Sequence, residues 1–184
     1  MSKILFLDIE TTGFSRDWNE IIELGAILWD DNKQDCIDSF HEYIKPLQGL
    51  PAKITELTGI TREKVSGCRN ERLVLMDFVE WVAIVKPDII VGHNCKTFDL
   101  GFIAKRCEKF SINWNIDGIQ IIDTLALAKQ MNKTGEIKTE NNKQQTLAAY
   151  FGITYNAHSA IEDVKALIQI YNKMTNIQKD DVGF

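Results

Sequence analysis

Short apolar runs dominate the first third of the chain, and apolar stripes at helical spacing dominate the rest. Lys3 to Asp8 (KILFLD) is a compact apolar run and predicts a buried strand. Ile21 to Trp29 and Cys36 to Ile44 are strand-like too, separated by the polar stretch DDNKQD, so the chain is expected to open with a three-stranded antiparallel meander. Pro46 and Pro51 interrupt the pattern, and a short helix is expected at Ala52 to Leu57, closed by Gly59. Asn70 is placed to cap a helix that runs to about Val85, with apolar residues at 75, 78, 82 and 85 and Pro87 after it.

Beyond Pro87 strands and helices alternate. Asp88 to Gly92 and Ile119 to Ile122 are expected strands; Thr97 to Lys109, Thr124 to Met131 and Gln144 to Phe151 are expected helices. NKTGEIKTENN reads as a mobile polar surface loop. The last helix has the clearest stripe, through Ala160, Val164, Leu167, Ile168, Tyr171 and Met174, and Ser159 with Glu162 fits a capping box at its start. Residues 176–184 are expected to be a short flexible tail. Strands first, then alternating strands and helices, predict a single α/β domain over residues 1–175, a mixed sheet flanked by helices.

Composition agrees with one folded domain: 184 residues, 45% hydrophobic and 26% charged. No stretch approaches the ~20 continuous apolar residues of a membrane span, and Asp8 interrupts the N-terminal run too early for a signal peptide. Cys36, Cys68, Cys95 and Cys107 form no CxxC pair, which suits a reducing cytoplasmic setting rather than a zinc knuckle or disulfide framework. The net charge of −5 weighs against a nucleic-acid partner, but it is uneven. Residues 1–95 hold 10 Lys/Arg against 16 Asp/Glu, whereas residues 96–184 hold 11 against 10. An acidic half is by default ordinary solvated surface; carboxylates gathered to hold cations, which would reverse the local field, are the other reading, and charge alone does not decide between them.

Three segments supply such carboxylates. In DIETTG, Asp8 and Glu10 are two apart on a strand and point to one side, where they repel each other unless a cation lies between. In GHNCKTFDLGF, Asp99 falls in the first turn of a helix; in AHSAIEDVKAL, His158 precedes the last helix and Asp163 lies one turn inside it. Singly, each is more often a polar strand end, a helix-dipole partner or a cap. Together they form a set of hard oxygen ligands suited to Mg²⁺ or Mn²⁺, beside an imidazole able to take a proton from water.

With these segments in this order, the chain resembles the DEDDh group of 3′–5′ exonucleases, whose fold is ribonuclease H-like. LTGIT at 57–61 and DTLALAK at 123–129 add to the likeness. Within the family it is most like the proofreading epsilon subunit of DNA polymerase III and the exonuclease domain of PolC. The resemblance implies two Mg²⁺ (or Mn²⁺) ions held by Asp8, Glu10, Asp99 and Asp163, with His158 as general base. It implies that Thr11, Leu57 and Phe98 contact the terminal nucleotide, and that products are nucleoside 5′-monophosphates. His93 with Asn94 is assigned a structural role and His41 a surface position. Lys96, Lys105, Arg106 and Lys109 are either solvated charges or phosphate contacts.

Gln144 departs from the leucine that relatives often carry, and is expected to loosen the preceding loop without touching a catalytic position. Only ten residues follow Met174, too few for a polymerase-binding extension, so a stand-alone enzyme or a separately encoded subunit is expected. The implied partners are single-stranded DNA or RNA 3′ ends and a polymerase or repair complex, with no membrane. The alternatives are an exoribonuclease of the ribonuclease T or oligoribonuclease kind, and a non-catalytic nucleic-acid-binding module. The last would lack one of the acids or the histidine, and all five are present.

Overall fold

β1 (Lys3–Thr11), β2 (Ile21–Asp30) and β3 (Asp35–Tyr43) form the antiparallel meander, and β4 (Ile89–Gly92) and β5 (Gln120–Asp123) join in parallel on the other side of β1. The strand order is β3-β2-β1-β4-β5, in a computed structural model that describes the backbone of residues 2–181 and the side chains of residues 2–177. β1 is central, which is why KILFL is buried on both faces. Its alternation divides the core. Leu5, Leu7 and Ile9 face α3 (Glu71–Val85) and α4 (Asp99–Lys109), whereas Ile4 and Phe6 face α7 (Ala160–Asp181) through Val164, Leu167, Ile168 and Tyr171.

β1 extends past the expected end at Asp8 to Thr11, because β2 keeps pairing with it: Glu10 opposes Glu23, and Thr11 opposes Ile21 beyond a bulge. Asp8 and Glu10 therefore continue the row begun by Ile4 and Phe6, on the face that α7 covers. α7 can approach closely because Gly25, the β2 partner of Asp8, has no side chain. A Cβ there would lie 2.8 Å from the main chain of Ala160 and Ile161.

α1 (Ala52–Thr58) ends at Gly59 in the left-handed region, as expected. A five-residue helix, α2 (Arg62–Ser66), follows where none was expected. Thr61 caps it by accepting from the Lys64 N–H, and five residues are too few to carry a periodic pattern. α5 (Thr124–Thr134) outlasts its expected end. The polar segment after it is fastened rather than loose: Ile137 is buried, and the Asn132 amide bonds to Thr139 and Asn142. α6 (Gln144–Tyr150) packs Leu147 and Ala148 against Ile170 and Met174 of α7. The backbone of α7 is helical to Asp181, into the segment expected as a tail; residues 182–184 lie outside the described residues.

The start of α7 differs from the expected capping box. The Ser159 hydroxyl donates to Glu23 on β2, and the Glu162 carboxylate takes Lys165. The start of α7 is thus tied to the sheet through a carboxylate that short-range spacing cannot reveal.

A buried ion pair joins α3, α4 and the loop between β1 and β2. Arg106 is 1% exposed, its Nε donates to both Glu71 oxygens at 2.8 and 2.9 Å, and its Nη2 lies 3.7 Å from Glu20. Glu71 also accepts from the Ile21 N–H, and the Glu20 N–H donates to Thr12. Arg106 is therefore neither a solvated charge nor a phosphate contact, because its position on α4 turns it inward beside Phe102, Ile103 and Cys107. Arg106→Leu strands the Glu71 carboxylate and is expected to destabilise the chain by about 3–5 kcal/mol in urea unfolding. Replacing Arg106 and Glu71 together by apolar residues should recover most of that. A loss under about 1 kcal/mol in the single variant, the scale of an exposed ion pair, would show the pair to be solvated.

Candidate active site

Three elements deliver four acids to one cleft of about 160 Å³, lined by Asp8, Glu10, Phe98, Asp99, Gln144, His158 and Asp163, together with Ile9, His93 and Asn94. β1 brings Asp8 and Glu10 by strand alternation. α7 brings Asp163 from its first turn, seated over Gly25. Ligand oxygens of Asp8, Glu10 and Asp163 all lie within 4.8 Å of one another. Asp99 enters from the start of α4 for a separate reason. β1 outruns β4, leaving the Ile9 N–H without a strand partner, and Asp99 Oδ1 accepts it at 3.1 Å. Asp99 is 2% exposed and borders the same cleft.

The turn after β4 is held by Asp123, whose Oδ1 accepts from the Asn94 N–H at 2.9 Å and from Leu125 in α5. Asn94 is left-handed at φ 64°, and His93 Nδ1 lies 2.9 Å from Thr124 Oγ1, so this pair shapes the rim. His158 is also left-handed, at φ 69°. Its N–H donates to Asp163 Oδ2 at 2.8 Å, and its Nε2 lies 3.1 Å from the Gln145 amide nitrogen. A β-branched or bulky residue in such a conformation would be strained; here the Asp163 bond holds it.

The electrostatics are those of anions pressed together. Burial raises the Asp8 carboxyl well above its usual range, and Asp99, Asp163 and Glu10 raise it further. Burial, then Asp163 and Glu23, push Glu10 to about 8. Burial outweighs the backbone hydrogen bonds at Asp99 and takes it to about 7. Burial also raises Asp163, against the hydrogen bonds that favour its charge. Four acids this unwilling to ionise, with three converging oxygens, suit a hard divalent cation that repays their repulsion.

These carboxyls keep protons in the folded chain that the unfolded chain releases near pH ~4, so the folded state binds more protons across the interval between. Without divalent ions, the contribution of these groups to stability is thus fully present below pH ~4 and is lost as pH rises through about 7 at Asp99 and about 8 at Glu10. In EDTA the melting temperature should be lower at pH ~8 than at pH ~5.5, and Mn²⁺ should raise it more at the higher pH. A melting temperature that climbs over that range in EDTA would contradict the assignment.

Of the other residues expected at the site, Phe98 lines the cleft, whereas Thr11 and Leu57 fall outside its lining. Thr11 is buried and turns its hydroxyl to the Gly13 carbonyl; Leu57 stands exposed on α1. His41 lies on the exposed strand β3, but its Nε2 reaches buried Glu23 at 2.8 Å. One expectation is overturned. Gln144 does touch one of the candidate acids, since its Nε2 donates to Asp163 Oδ1 at 2.9 Å. Glu23, Asp123 and Gln144 are the supporting residues that motif reading missed. Only Gln144, as a polar residue at an expected apolar position, carried a local signal.

Comparisons with known proteins accord with this geometry. The exonuclease (RNase T) family model matches residues 5–171. PolC-type DNA polymerase III of Clostridium perfringens is 35% identical over 164 residues, 89% of this chain and 10% of that protein. The Staphylococcus aureus protein of the same name is 34% identical over 176 residues, covering 94% and 11%. The chain thus spans about a tenth of the length of these curated relatives. Among solved structures, E. coli exonuclease I in complex with a dT13 oligonucleotide superposes with a TM-score of 0.84 at 21% identity, over 98% of this chain and 42% of that one. Cell-death related nuclease 4 does so with a TM-score of 0.76 at 19% identity, over 96% and 64%. A mixed sheet with acids at its strand ends, matched along nearly its whole length, places this chain in the exonuclease family, with a ribonuclease H-like fold.

Proposed function

We propose that the chain removes nucleotides from the 3′ end of single-stranded DNA by metal-dependent hydrolysis, releasing nucleoside 5′-monophosphates. The observation that carries this reading is the convergence of Asp8, Glu10 and Asp163 to within 4.8 Å beside His158 and Asp99. These four acids would hold two Mg²⁺ or Mn²⁺ ions, which when bound supply positive charge to both the attacking and the leaving oxygen.

The chain's own residues do the rest. Phe98, at the mouth of α4, offers a flat apolar surface on which any base can stack without its edges being read. His158 takes the proton of the attacking water as the new P–O bond forms and the P–O3′ bond breaks; the departing 3′ oxygen is protonated from solvent. For Nε2 to accept that proton, the Gln145 amide must move off the ring's one lone pair and leave it to the attacking water. The likeness to PolC-type polymerases supports action beside a polymerase, with proofreading as the role.

Matched 5′-labelled DNA and RNA oligonucleotides, single- and double-stranded, test the reading. With Mg²⁺ or Mn²⁺, single-stranded DNA should shorten stepwise from its 3′ end, and EDTA should stop the reaction. Faster shortening of RNA would transfer the activity to the exoribonuclease alternative, and undiminished hydrolysis in EDTA would remove the metal.

A further inference from the structure

We infer that Gln144, the first residue of α6, is a positioning residue that fixes the Asp163 carboxylate in the orientation from which it binds a divalent cation. The inference rests on the reading of Asp163 as a metal ligand. Its basis is a pair of hydrogen bonds from one nitrogen: Gln144 Nε2 donates to Asp163 Oδ1 at 2.9 Å and to the Asp163 main-chain carbonyl at 3.0 Å. Both amide hydrogens are thus directed at a single residue. The reversed amide would set its oxygen against two acceptors, so the chemistry admits only one orientation.

The arm that carries this amide is itself fixed. Asn141 Oδ1 accepts from the Lys143 N–H at 3.0 Å and the Thr146 hydroxyl at 2.7 Å, which pins the start of α6. Leu147 and Ala148 anchor the helix against α7. On the other side of the carboxylate, Oδ2 accepts from the His158 N–H at 2.8 Å. Each oxygen of Asp163 therefore has a fixed donor, and the carboxylate still borders the space shared with Asp8 and Glu10. Those two acids repel Asp163. Without the amide, the carboxylate loses a donor that favours its charge, and it can rotate away from them. Groups that orient metal ligands in this way commonly alter metal affinity by ~10–100-fold.

Calorimetric titration with Mn²⁺ tests the inference on the parent, Gln144→Met, Gln144→Leu and Asp163→Asn. Methionine keeps the length of the side chain and removes only the donor. Both Gln144 variants should bind Mn²⁺ about 10-fold or more weakly, with an unchanged melting temperature in EDTA. Hydrolysis should need more Mn²⁺ but approach the parental kcat at saturation. Parental affinity in both variants, while Asp163→Asn binds poorly, would overturn the inference and leave the proposed function standing. Weakened binding that tracks a lowered metal-free melting temperature would also overturn it, in favour of a purely structural role. A parent chain that binds no Mn²⁺ would remove the metal reading itself and this inference with it.

Discussion

Asp8→Asn should reduce hydrolysis of a single-stranded oligonucleotide by about 10³-fold or more, because it removes roughly 4 kcal/mol or more of charge stabilisation at 1.36 kcal/mol per decade. Asp8 sits among Asp99, Asp163 and Glu10, each of which raises its carboxyl. The amide keeps the shape of the carboxylate, so a loss of rate reports charge and not packing. The same substitution should raise the melting temperature in EDTA, since one of four crowded acids no longer has to be either ionised or kept protonated. Opposite movements of activity and metal-free stability separate a ligand from a structural acid. A variant within about tenfold of the parent rate would show that Asp8 is dispensable to any metal-centred step.

The second large effect belongs to His158. Removing a general base typically costs ~10²–10⁴-fold, and His158→Ala should fall in that range when turnover is measured at saturating Mn²⁺. Its Mn²⁺ affinity should stay near the parent value, because the contact between this residue and Asp163 is made by the main-chain N–H, which alanine retains. A drop of only a few-fold would move the base elsewhere. A large loss of Mn²⁺ affinity would recast the residue as part of the ligand frame. Alanine at φ 69° also carries some backbone strain, so His158→Asn, a residue that tolerates this conformation, is the companion variant.

What could be read from the chain alone divides by range. The alternation of side chains along a strand is a local property, so the shared face of Asp8 and Glu10 was legible in the sequence. The stripe of α7 was legible for the same reason. That Asp163 meets those acids was visible only through family resemblance, because it depends on Gly25 admitting the helix backbone 2.8 Å from where a Cβ would stand. Interactions made across elements left no local trace. Glu23 holds the start of α7 from β2, Asp123 holds the turn after β4, and Arg106 turns inward to Glu71. Arg106 was misread because a basic residue in a helix rich in lysine looks solvated until its buried partner, 35 residues away, is known. Gln144 was misread in the opposite direction, as a weakening of packing. Its amide in fact faces the Asp163 carboxyl.

Acids from β1, α4 and α7 are proposed to hold divalent cations together. A crystal grown with Mn²⁺ and a nucleoside 5′-monophosphate, measured at a wavelength where manganese scatters anomalously, addresses it most directly. Two anomalous peaks ~3.5–4 Å apart are expected, one enclosed by Asp8, Glu10 and Asp163 and the other reached by Asp8 and Asp99, with the phosphate of the nucleotide between them and His158. Peaks confined to the protein surface, or a nucleotide bound with the four carboxylates still empty of metal, would contradict it.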